Sequence, residues 1–440
     1  MNVGFISLGC SKNLVDTEIA IGIFKNKKYN IVNDEKEADI IVINTCGFIE
    51  SAKEEAINTI LEMAEYKKKR CRVLIVMGCL VERYKEDLEK AIPEVDLFIK
   101  FSEYDDMCKK LEQLLEEKAH SIKQDYNRLE NYIDRVITTG NKTAYLRIAE
   151  GCSNRCTYCA IPYIRGPLKS RRMEDIIVEA KHLARKGYEE LIIIAQDTTK
   201  YGVDRYKEPK LAELLQEISK VEGIKWIRFL YSYPETITDE LIKVVKENDK
   251  ICKYFDIPLQ HISDPVLKRM NRKSNEESIK KLIFKIRKKI PDVVLRTSLI
   301  VGFPGETKED FEKLYNFVKE TQFNKLGVFM YSKEDGTPAE KLPNQIHGNT
   351  KKSRYNKIMT LQQEISRKNL GKRLGKEYEV LIENTTFDKK YLIGRTKMDV
   401  PEMDGVVYIK DTSDKDLINE FVKCKIVDIR DYDLIGELYE

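Results

Sequence analysis

Short apolar runs alternate with helical patterns along the N-terminal part of the chain. Three runs are each followed by a turn and then by apolar positions at helical spacing: Val3–Ser7, Ile40–Ile43 and Val73–Met77. Continuous apolar runs that alternate with helices are typical of a parallel sheet covered on both faces. We therefore predict a parallel α/β domain over residues 1–118, followed by a polar linker over residues 119–141.

A longer alternation of the same kind begins at Thr143. Its six predicted strands are Ala144–Ala149, Leu191–Ala195, Trp226–Tyr231, Tyr254–Pro258, Val293–Val301 and Leu326–Tyr331. A full barrel of this type has about eight βα units. Six units therefore predict a partial (β/α)6 barrel over residues 142–372.

The C-terminal part of the chain changes to short alternating strands divided by Gly, Asp and Asn turns. The predicted strands are Tyr378–Ile382, Tyr391–Thr396, Gly405–Ile409 and Phe421–Ile429. This pattern predicts a small antiparallel β-barrel over residues 373–440. The fold class as a whole is α/β, with this all-β module at its end.

Composition narrows the classes of function. The 440 residues carry a formal net charge of +4, too balanced for a protein that coats nucleic acid. No apolar run approaches the roughly 18 residues of a membrane helix, so we expect a cytoplasmic protein with no membrane partner. Neither the GxxxxGK(S/T) phosphate loop nor the GxGxxG dinucleotide motif occurs. Ten cysteines against four histidines make cysteine chemistry the main candidate.

Three cysteines follow the first predicted barrel strand at CxxxCxxC spacing. They are Cys152, Cys156 and Cys159, here called the barrel triplet. A loop this tight can wrap three corners of a 4Fe–4S cubane and leave one iron open. An open iron suits S-adenosylmethionine, whose amino and carboxylate groups can chelate it, and one electron would then release a 5′-deoxyadenosyl radical. The alternative is a structural zinc loop, which usually has two separated pairs of ligands.

Three further cysteines each lie in the turn directly after a predicted strand of the N-terminal sheet. They are Cys10, Cys46 and Cys79, here called the N-terminal triplet. Such turns emerge at one edge of a parallel sheet, so we expect the three side chains to converge and hold a second cluster. The remaining cysteines are predicted to be small core residues: Cys71, Cys108, Cys252 and Cys424.

The barrel triplet, with Tyr158 as the aromatic of CxxxCx(aromatic)C, resembles the radical S-adenosylmethionine superfamily. Leu299–Glu306 resembles that superfamily's adenine-side glycine motif. Together with the N-terminal triplet and the terminal β-barrel, these features look like the methylthiotransferases, with a TRAM domain at the C-terminus. Within that family, the sequence most resembles the branch that modifies an aspartate of small-subunit ribosomal protein twelve. Stretches that look like that branch are Ser7–Asp16, Asn44–Ile49, Ala195–Gly202 and Leu259–His261, with Ser11 standing where a proline is usual.

This resemblance implies two 4Fe–4S clusters and two S-adenosylmethionine molecules per turnover. One molecule would methylate a sulfur held at the N-terminal triplet, and the other would provide the radical that removes hydrogen from the aspartate β-carbon. It also implies a low-potential electron donor such as flavodoxin or ferredoxin. Tyr158 and Gln196 are the candidates for binding the cofactor. Further candidates, equally compatible with helix caps or turns, are Asp197, Ser232, Gln260 and His261.

Charge offers a separate argument about the partner. Residues 372–440 contain twelve basic and sixteen acidic residues, which suits a basic ribosomal protein better than RNA, unless the acidic turns only solvate the barrel. The basic stretch Lys351–Arg354 is compatible with a contact to ribosomal RNA or with a solvated helix face. The rival hypotheses are a tRNA adenosine methylthiotransferase and a non-catalytic, metal-stabilised RNA- or ribosome-binding factor.

Overall fold

The computed structural model describes residues 1–115, 135–140, 142–410 and 416–439. Most of the predicted linker 119–141 lies outside these residues, and its residues 135–140 form no helix or strand. None of the helices in the described ranges is long and apolar enough to cross a lipid bilayer.

A five-stranded, fully parallel sheet forms the N-terminal domain, with spatial order β2-β1-β3-β4-β5. Its strands are β1 (Asn2–Ser7), β2 (Asn30–Val32), β3 (Ile40–Thr45), β4 (Val73–Gly78) and β5 (Leu97–Ile99). Its helices are α1 (Ser11–Asn26), α2 (Glu50–Ala64), α3 (Cys79–Ala91) and α4 (Met107–Leu115). The three predicted strands are present, whereas β2 and β5, three residues each at the two edges of the sheet, were not predicted.

The central domain has six parallel strands in chain order, in two halves joined by a backbone bridge between Ile227 and Ile251. These strands are β6 (Thr143–Arg147), β9 (Glu190–Ile194), β10 (Trp226–Phe229), β11 (Tyr254–Asp256), β12 (Val294–Val301) and β13 (Lys325–Met330), and a short ribbon adds β7 (Ala149–Glu150) and β8 (Lys169–Ser170). The helices are α5 (Ile161–Ile164), α6 (Met173–Arg185), α7 (Val203–Tyr206), α8 (Leu211–Ser219), α9 (Asp239–Glu247), α10 (Asp264–Arg269), α11 (Glu276–Lys289), α12 (Lys308–Thr321) and α13 (Gly348–Gly371). The partial barrel is therefore confirmed.

The C-terminal domain is a closed five-stranded barrel with the order β14-β15-β16-β18-β17. Its strands are β14 (Glu377–Thr385), β15 (Tyr391–Arg395), β16 (Val407–Lys410), β17 (Phe421–Ile429) and β18 (Leu434–Leu438). Four of the strand pairs are antiparallel, as expected, and β16 pairs with β18 in parallel. The short strand β18 was not among the predicted strands.

The partial barrel packs on both of its faces. Its outer face meets the surrounding helices in the largest hydrophobic core. Its inner face buries Tyr145, Trp226 and Tyr254 together with Val15 of α1 and Val400 of the C-terminal domain. Both flanking domains therefore contribute side chains to the inner core of the partial barrel.

Candidate active site

The loop that carries the barrel triplet leaves β7 at the C-terminal end of the barrel. Gly151 has φ +71°, and a Cβ there would lie 2.1 Å from the carbonyl oxygen of Pro167. Arg155 also has a positive φ of 56°. These left-handed residues wind the loop tightly, so that all three cysteines belong to one compact turn.

Neighbouring loops hold this loop in place. The backbone N–H of Cys152 donates to Gly166 O at 3.0 Å, and that of Thr157 donates to Met270 O at 3.1 Å. The Asn154 amide donates to Asp197 Oδ2 at 2.8 Å. Asp197 also caps the turn after β9, so this candidate residue orients the cysteine loop.

The N-terminal triplet comes together at the edge of its sheet. The sulfurs of Cys10 and Cys79 lie 3.8 and 3.6 Å from the same oxygen, Asn13 Oδ1. Gly9 packs against Cys46: a Cβ at position 9 would lie 3.3 Å from the Cys46 sulfur. Three turns that are distant in sequence thus converge around the first turn of α1.

The pKa of Cys10 shifts in the opposite direction to those of Cys46, Cys79, Cys152 and Cys159. Although the surrounding protein disfavours its charged form, Lys12 and the Asn13 backbone lower the pKa of Cys10. Burial raises the pKa of Cys79 and of Cys159 to about 12, and it also raises those of Cys46 and Cys152. Iron binds thiolates, so cluster assembly must displace these protons.

Arg165 joins the two triplets. It follows α5, six residues after Cys159, and its Nη2 lies 3.5 Å from the Cys79 sulfur and 3.1 Å from Asn13 Oδ1. The Cys79 side chain also packs against Ala160 and Ile164. The barrel-triplet loop and the N-terminal triplet therefore adjoin each other across the domain interface.

A buried ion network locks this interface. Arg165 donates to Asp16 Oδ2 at 2.7 Å, and Arg147 of β6 donates to Asp16 Oδ1 at 2.6 Å. Both arginines also pair with Glu150, at 3.0 and 2.9 Å. The pKa of Glu150 falls to about 2 because Arg165 and Arg147 outweigh the opposing effect of burial. Gln196 Nε2 donates to Glu150 at 2.7 Å, which ties a candidate cofactor residue to the network.

The candidate residues Gln196 and Ser232 keep unused polar atoms. Gln196 Oε1 and Ser232 Oγ are buried and have no hydrogen-bond partner in the described structure. Both follow the C-terminal ends of barrel strands, β9 and β10, which is where the active sites of such barrels are built. These atoms are therefore available to a bound molecule.

Two other candidates have structural partners. His261 is fully buried, accepts a hydrogen bond from the Ser263 backbone at 3.0 Å, and lies 3.4 Å from Glu306. Gln260 has φ 71°, and its backbone bridges to Leu299 of β12. Both residues therefore shape the turn beside β12.

The glycine segment Leu299–Glu306 forms the end of β12 and the turn before α12. Gly302 has φ +71°, and a Cβ there would lie 2.3 Å from Cγ of Lys351. Glu306 accepts a hydrogen bond from Gly302 N and pairs with Arg354 at 2.9 Å. Lys351 and Arg354 of the basic stretch therefore make contacts within the protein. Glycine is needed at position 302 because Lys351 of α13 approaches its backbone closely.

Tyr158 is half-buried against this glycine segment. Its ring meets Phe303 edge-on, with the centroids 6.5 Å apart. Thr157, the preceding residue, donates to the carbonyl of Arg269 at 2.8 Å. Tyr158 therefore anchors the cysteine loop, and its contact with a cofactor remains a prediction.

Sequence reasoning missed the side chains that connect the triplets. Asn13, Arg165, Lys12 and Tyr231 were not assigned roles, although Lys12 and Asn13 lie inside the Ser7–Asp16 stretch. Their only sequence signal is proximity to Cys10, to Cys159 or to the end of a barrel strand. Their function depends on contacts across a domain interface.

The donor set fits iron–sulfur clusters. Each triplet offers three cysteine sulfurs and lies beside a cationic side chain, Lys12 or Arg165. In the described ranges, no three His, Cys, Asp or Glu side chains are grouped as one metal ion would require. A cubane binds each thiolate at a different iron, so its cysteines need not share one metal ion. The four remaining cysteines are buried, as predicted: Cys71, Cys108, Cys252 and Cys424.

Three family models match the chain in succession. The uncharacterized protein family UPF0004 matches residues 2–100, the radical SAM superfamily matches residues 146–318, and the TRAM domain matches residues 374–438. Each match falls on one of the three structural domains.

Relatives resemble the chain over its full length. A protein of Alkaliphilus oremlandii named ribosomal protein uS12 methylthiotransferase RimO is 64% identical over 440 residues, covering 100% of this chain and 99% of the relative. A protein of the same name from Acetivibrio thermocellus is 52% identical over 99% of this chain and 98% of the relative. Another from Clostridioides difficile is 50% identical over 100% of this chain and 99% of the relative.

Solved structures share the fold. The radical S-adenosylmethionine methyltransferase TsrM of Kitasatospora setae matches with a TM-score of 0.57 at 11% identity, over 77% of this chain and 73% of that one. The cobalamin-dependent S-adenosylmethionine radical enzyme OxsB matches with a TM-score of 0.52 at 13% identity, over 83% and 56%. At these identities the similarity concerns the fold alone.

Proposed function

Because the chain belongs to the family of ribosomal protein uS12 methylthiotransferases, we propose that it adds a methylthio group to the β-carbon of an aspartate in that ribosomal protein. The chain is a radical S-adenosylmethionine transferase, and its superfamily implies one 4Fe–4S cluster and S-adenosylmethionine. A second cluster and the use of two S-adenosylmethionine molecules per turnover are part of the proposal.

One observation supports the proposal most strongly. Two cysteine triplets from different domains adjoin each other, and Arg165 reaches from the barrel-triplet loop to the Cys79 sulfur at 3.5 Å. Sulfur insertion requires the radical and the transferred sulfur to meet within one protected space, because a free radical reacts with whatever it encounters first. Adjacent sites satisfy that requirement.

The two triplets have separate tasks in this proposal. In this proposal, Cys152, Cys156 and Cys159 would hold the cluster that gives the electron for cleavage of S-adenosylmethionine, and Cys10, Cys46 and Cys79 would hold the cluster that provides the sulfur. Gln196 Oε1 and Ser232 Oγ are the free hydrogen-bonding atoms at the strand ends that the cofactor would use. The Arg165–Asp16–Arg147–Glu150 network joins the first domain to the partial barrel beside both triplets.

The partners follow from charge and chemistry. The excess of acidic residues in the C-terminal barrel suits a basic ribosomal protein. A low-potential donor such as flavodoxin or ferredoxin would reduce the cluster, and a ribosomal substrate would place the reaction in the cytoplasm. Of the basic stretch, Lys351 and Arg354 are engaged internally, which leaves the exposed Lys352, with Arg367 and Lys368 further along α13, for any contact with ribosomal RNA.

Cysteine variants test the two triplets separately. Replacing Cys152, Cys156 or Cys159 with Ala should abolish formation of 5′-deoxyadenosine, because the electron source is lost. Replacing Cys10, Cys46 or Cys79 with Ala should leave cleavage intact but prevent methylthiolation. Chromatography of nucleoside products and mass spectrometry of uS12 measure the two steps, while anaerobic iron content should fall from about eight to about four per chain.

The control is Cys71→Ala, a buried cysteine outside both triplets. It should keep both activities and the full iron content. Methylthiolation that survives loss of Cys10, Cys46 or Cys79 would refute the second cluster. Wild-type enzyme that modifies tRNA adenosine and leaves uS12 unchanged would refute the substrate.

A further inference from the structure

Lys12 is a buried cation in the first turn of α1, two residues after Cys10. Only 8% of its surface is exposed. Its ammonium lies 3.5 Å from the centre of the Tyr231 ring, which belongs to the turn after β10. An N-terminal domain lysine thus reaches to the mouth of the partial barrel.

Within the described ranges, no carboxylate lies within ion-pair distance of this ammonium. The nearby carboxylates have partners of their own. Asp16 and Glu150 pair with Arg147 and Arg165, and Asp197 accepts hydrogen bonds from Asn154 and from Thr199. The groups that face the ammonium are the Tyr231 ring and the Cys10 thiol, so a carboxylate brought by a ligand would add an ion pair that no carboxylate of the described residues provides.

The Tyr231 ring is held firmly under Lys12. Tyr231 has φ 62°, which is unusual for an aromatic residue. Its N–H donates to Asp256 Oδ2 at 2.9 Å, and its carbonyl accepts from the Thr198 backbone at 3.1 Å. The strained backbone fixes the position of the ring and so favours one position of the ammonium.

Lys12 stands between the two triplets. The next residue, Asn13, lies within 3.8 Å of the Cys10 and Cys79 sulfurs, and the Lys12 ammonium itself lies over Tyr231 at the mouth of the barrel that carries the other triplet. The adjacent Ser11 Oγ is buried and has no hydrogen-bond partner. The N-terminal end of α1 adds positive partial charge at the same place. The local environment therefore suits an anion close to both triplets.

We infer that the Lys12 ammonium binds the side-chain carboxylate of the substrate aspartate. This inference rests on the proposed function, in which hydrogen is removed from the carbon directly attached to that carboxylate. The carboxylate must then lie within a few bonds of the reacting carbon, in the space between the triplets that Lys12 occupies. Lys12 would select an aspartate over its neutral analogue asparagine.

The methionine moiety of S-adenosylmethionine also carries a carboxylate, which is the alternative ligand for the Lys12 ammonium. In the proposed function that carboxylate and its amino group chelate the open iron at the barrel triplet. The cofactor therefore does not need Lys12 as its counter-ion, which leaves the ammonium to the substrate carboxylate.

The experiment compares Lys12→Met, Lys12→Arg and a control in anaerobically reconstituted enzyme. The control, Lys69→Met, removes an exposed lysine that lies over the Tyr66 ring at 5.4 Å, far from the site. The probes are two uS12 peptides, one with the target aspartate and one with asparagine in its place. Titration calorimetry gives the dissociation constant of each peptide, and steady-state assays give the KM for peptide and for S-adenosylmethionine.

Wild-type enzyme and Lys69→Met should bind the aspartate peptide at least about tenfold more tightly than the asparagine peptide. Lys12→Met, measured on enzyme reconstituted to the wild-type iron content, should lose this preference and bind both peptides with the weaker constant, while its KM for S-adenosylmethionine stays at the wild-type value. Lys12→Arg keeps the charge and should keep a preference for aspartate.

Other outcomes overturn the inference in distinguishable ways. A Lys12→Met enzyme that still prefers the aspartate peptide shows that Lys12 does not bind the substrate carboxylate. A rise only in the KM for S-adenosylmethionine assigns Lys12 to the cofactor instead. Loss of iron in both Lys12→Met and Lys12→Arg would mean that Lys12 acts in cluster assembly and not in substrate binding. Wild-type enzyme that modifies neither peptide refutes the proposed function itself and the inference with it.

Discussion

Gly78 shows how one residue positions a cysteine. It immediately precedes Cys79 and has φ +101°, a region that favours glycine. A Cβ at this position would lie 2.2 Å from Asn44 Oδ1 and 2.5 Å from Thr45 O. The turn after β4 therefore packs against the end of β3, and this contact brings Cys79 towards Cys46.

Gly78→Ala should disrupt the N-terminal triplet and leave the barrel triplet intact. Iron content should fall to about four per chain, and 5′-deoxyadenosine should still form. The matched control is Gly187→Ala, where φ is +91° but a Cβ would meet nothing within 4 Å. That variant should lose about 1 kcal/mol of stability from backbone strain and retain all its iron. Equal iron contents in the two variants would contradict the assigned role of Gly78.

At the scale of elements, the segment after β13 supports the start of α2. Glu334 is buried and accepts a hydrogen bond from the Glu50 backbone at 3.1 Å. It also pairs with Lys53 at 3.4 Å and Arg83 at 3.6 Å, while Arg83 donates to Gly47 O at 3.1 Å. Through Arg83 and the Glu50 backbone, Glu334 therefore holds the loop that contains Cys46.

Glu334→Gln should loosen this contact because it removes the negative charge that Lys53 and Arg83 share. Amide hydrogen exchange at the beginning of α2 should become faster, measured by mass spectrometry on peptides covering residues 46–64. Glu312→Gln, an exposed change on α12, serves as the control and should not alter exchange there. Unchanged exchange in Glu334→Gln would mean that the helix start is held by other contacts.

At the scale of the molecule, buried charges join the C-terminal barrel to the partial barrel. Arg395 pairs with Glu190 at the start of β9, and Arg228 lies 3.3 Å from the same carboxylate. Lys325 of β13 pairs with Asp399 at 2.8 Å. The C-terminal barrel is therefore docked rigidly and contributes to the core of its neighbour.

Asp399→Asn should weaken this docking by about 2 kcal/mol at neutral pH. Although burial opposes it, Lys325 and Arg373 lower the pKa of Asp399 to about 2 from its ordinary 3.8. A lowered pKa means that the stabilisation is complete above pH 3.8 and is lost as the pH falls towards 2. The difference between wild type and variant should therefore vanish over that range.

The single tryptophan can report this transition. Trp226 packs edge-on against Phe421 of the C-terminal barrel, with centroids 4.9 Å apart, and donates to Glu379 at 3.1 Å. Urea unfolding followed by its fluorescence should show a lower midpoint for Asp399→Asn. Asp87→Asn, an exposed change on α3, should match wild type. A pH-independent difference between wild type and Asp399→Asn would contradict the ion-pair explanation.

The sequence by itself determined the order of the three domains, the strands of the partial barrel and the turns that carry the six cysteines. These features depend on local hydrophobic pattern and turn residues, and both can be recognised within a few positions of the chain. The three-residue strands β2 and β5 were not predicted, although β11, equally short, was, because its apolar run continues beyond the strand to Pro258.

Only the tertiary structure decided which side chains serve the cysteines. Arg165 meets Cys79, Lys12 lies over Tyr231, and Glu334 reaches the start of α2, each across a domain boundary. A hydrophobic pattern shows that a face is buried but does not show which surface covers it. Charge pairing depends on distances of a few ångströms between residues far apart in sequence, and those distances exist only once the domains are packed together.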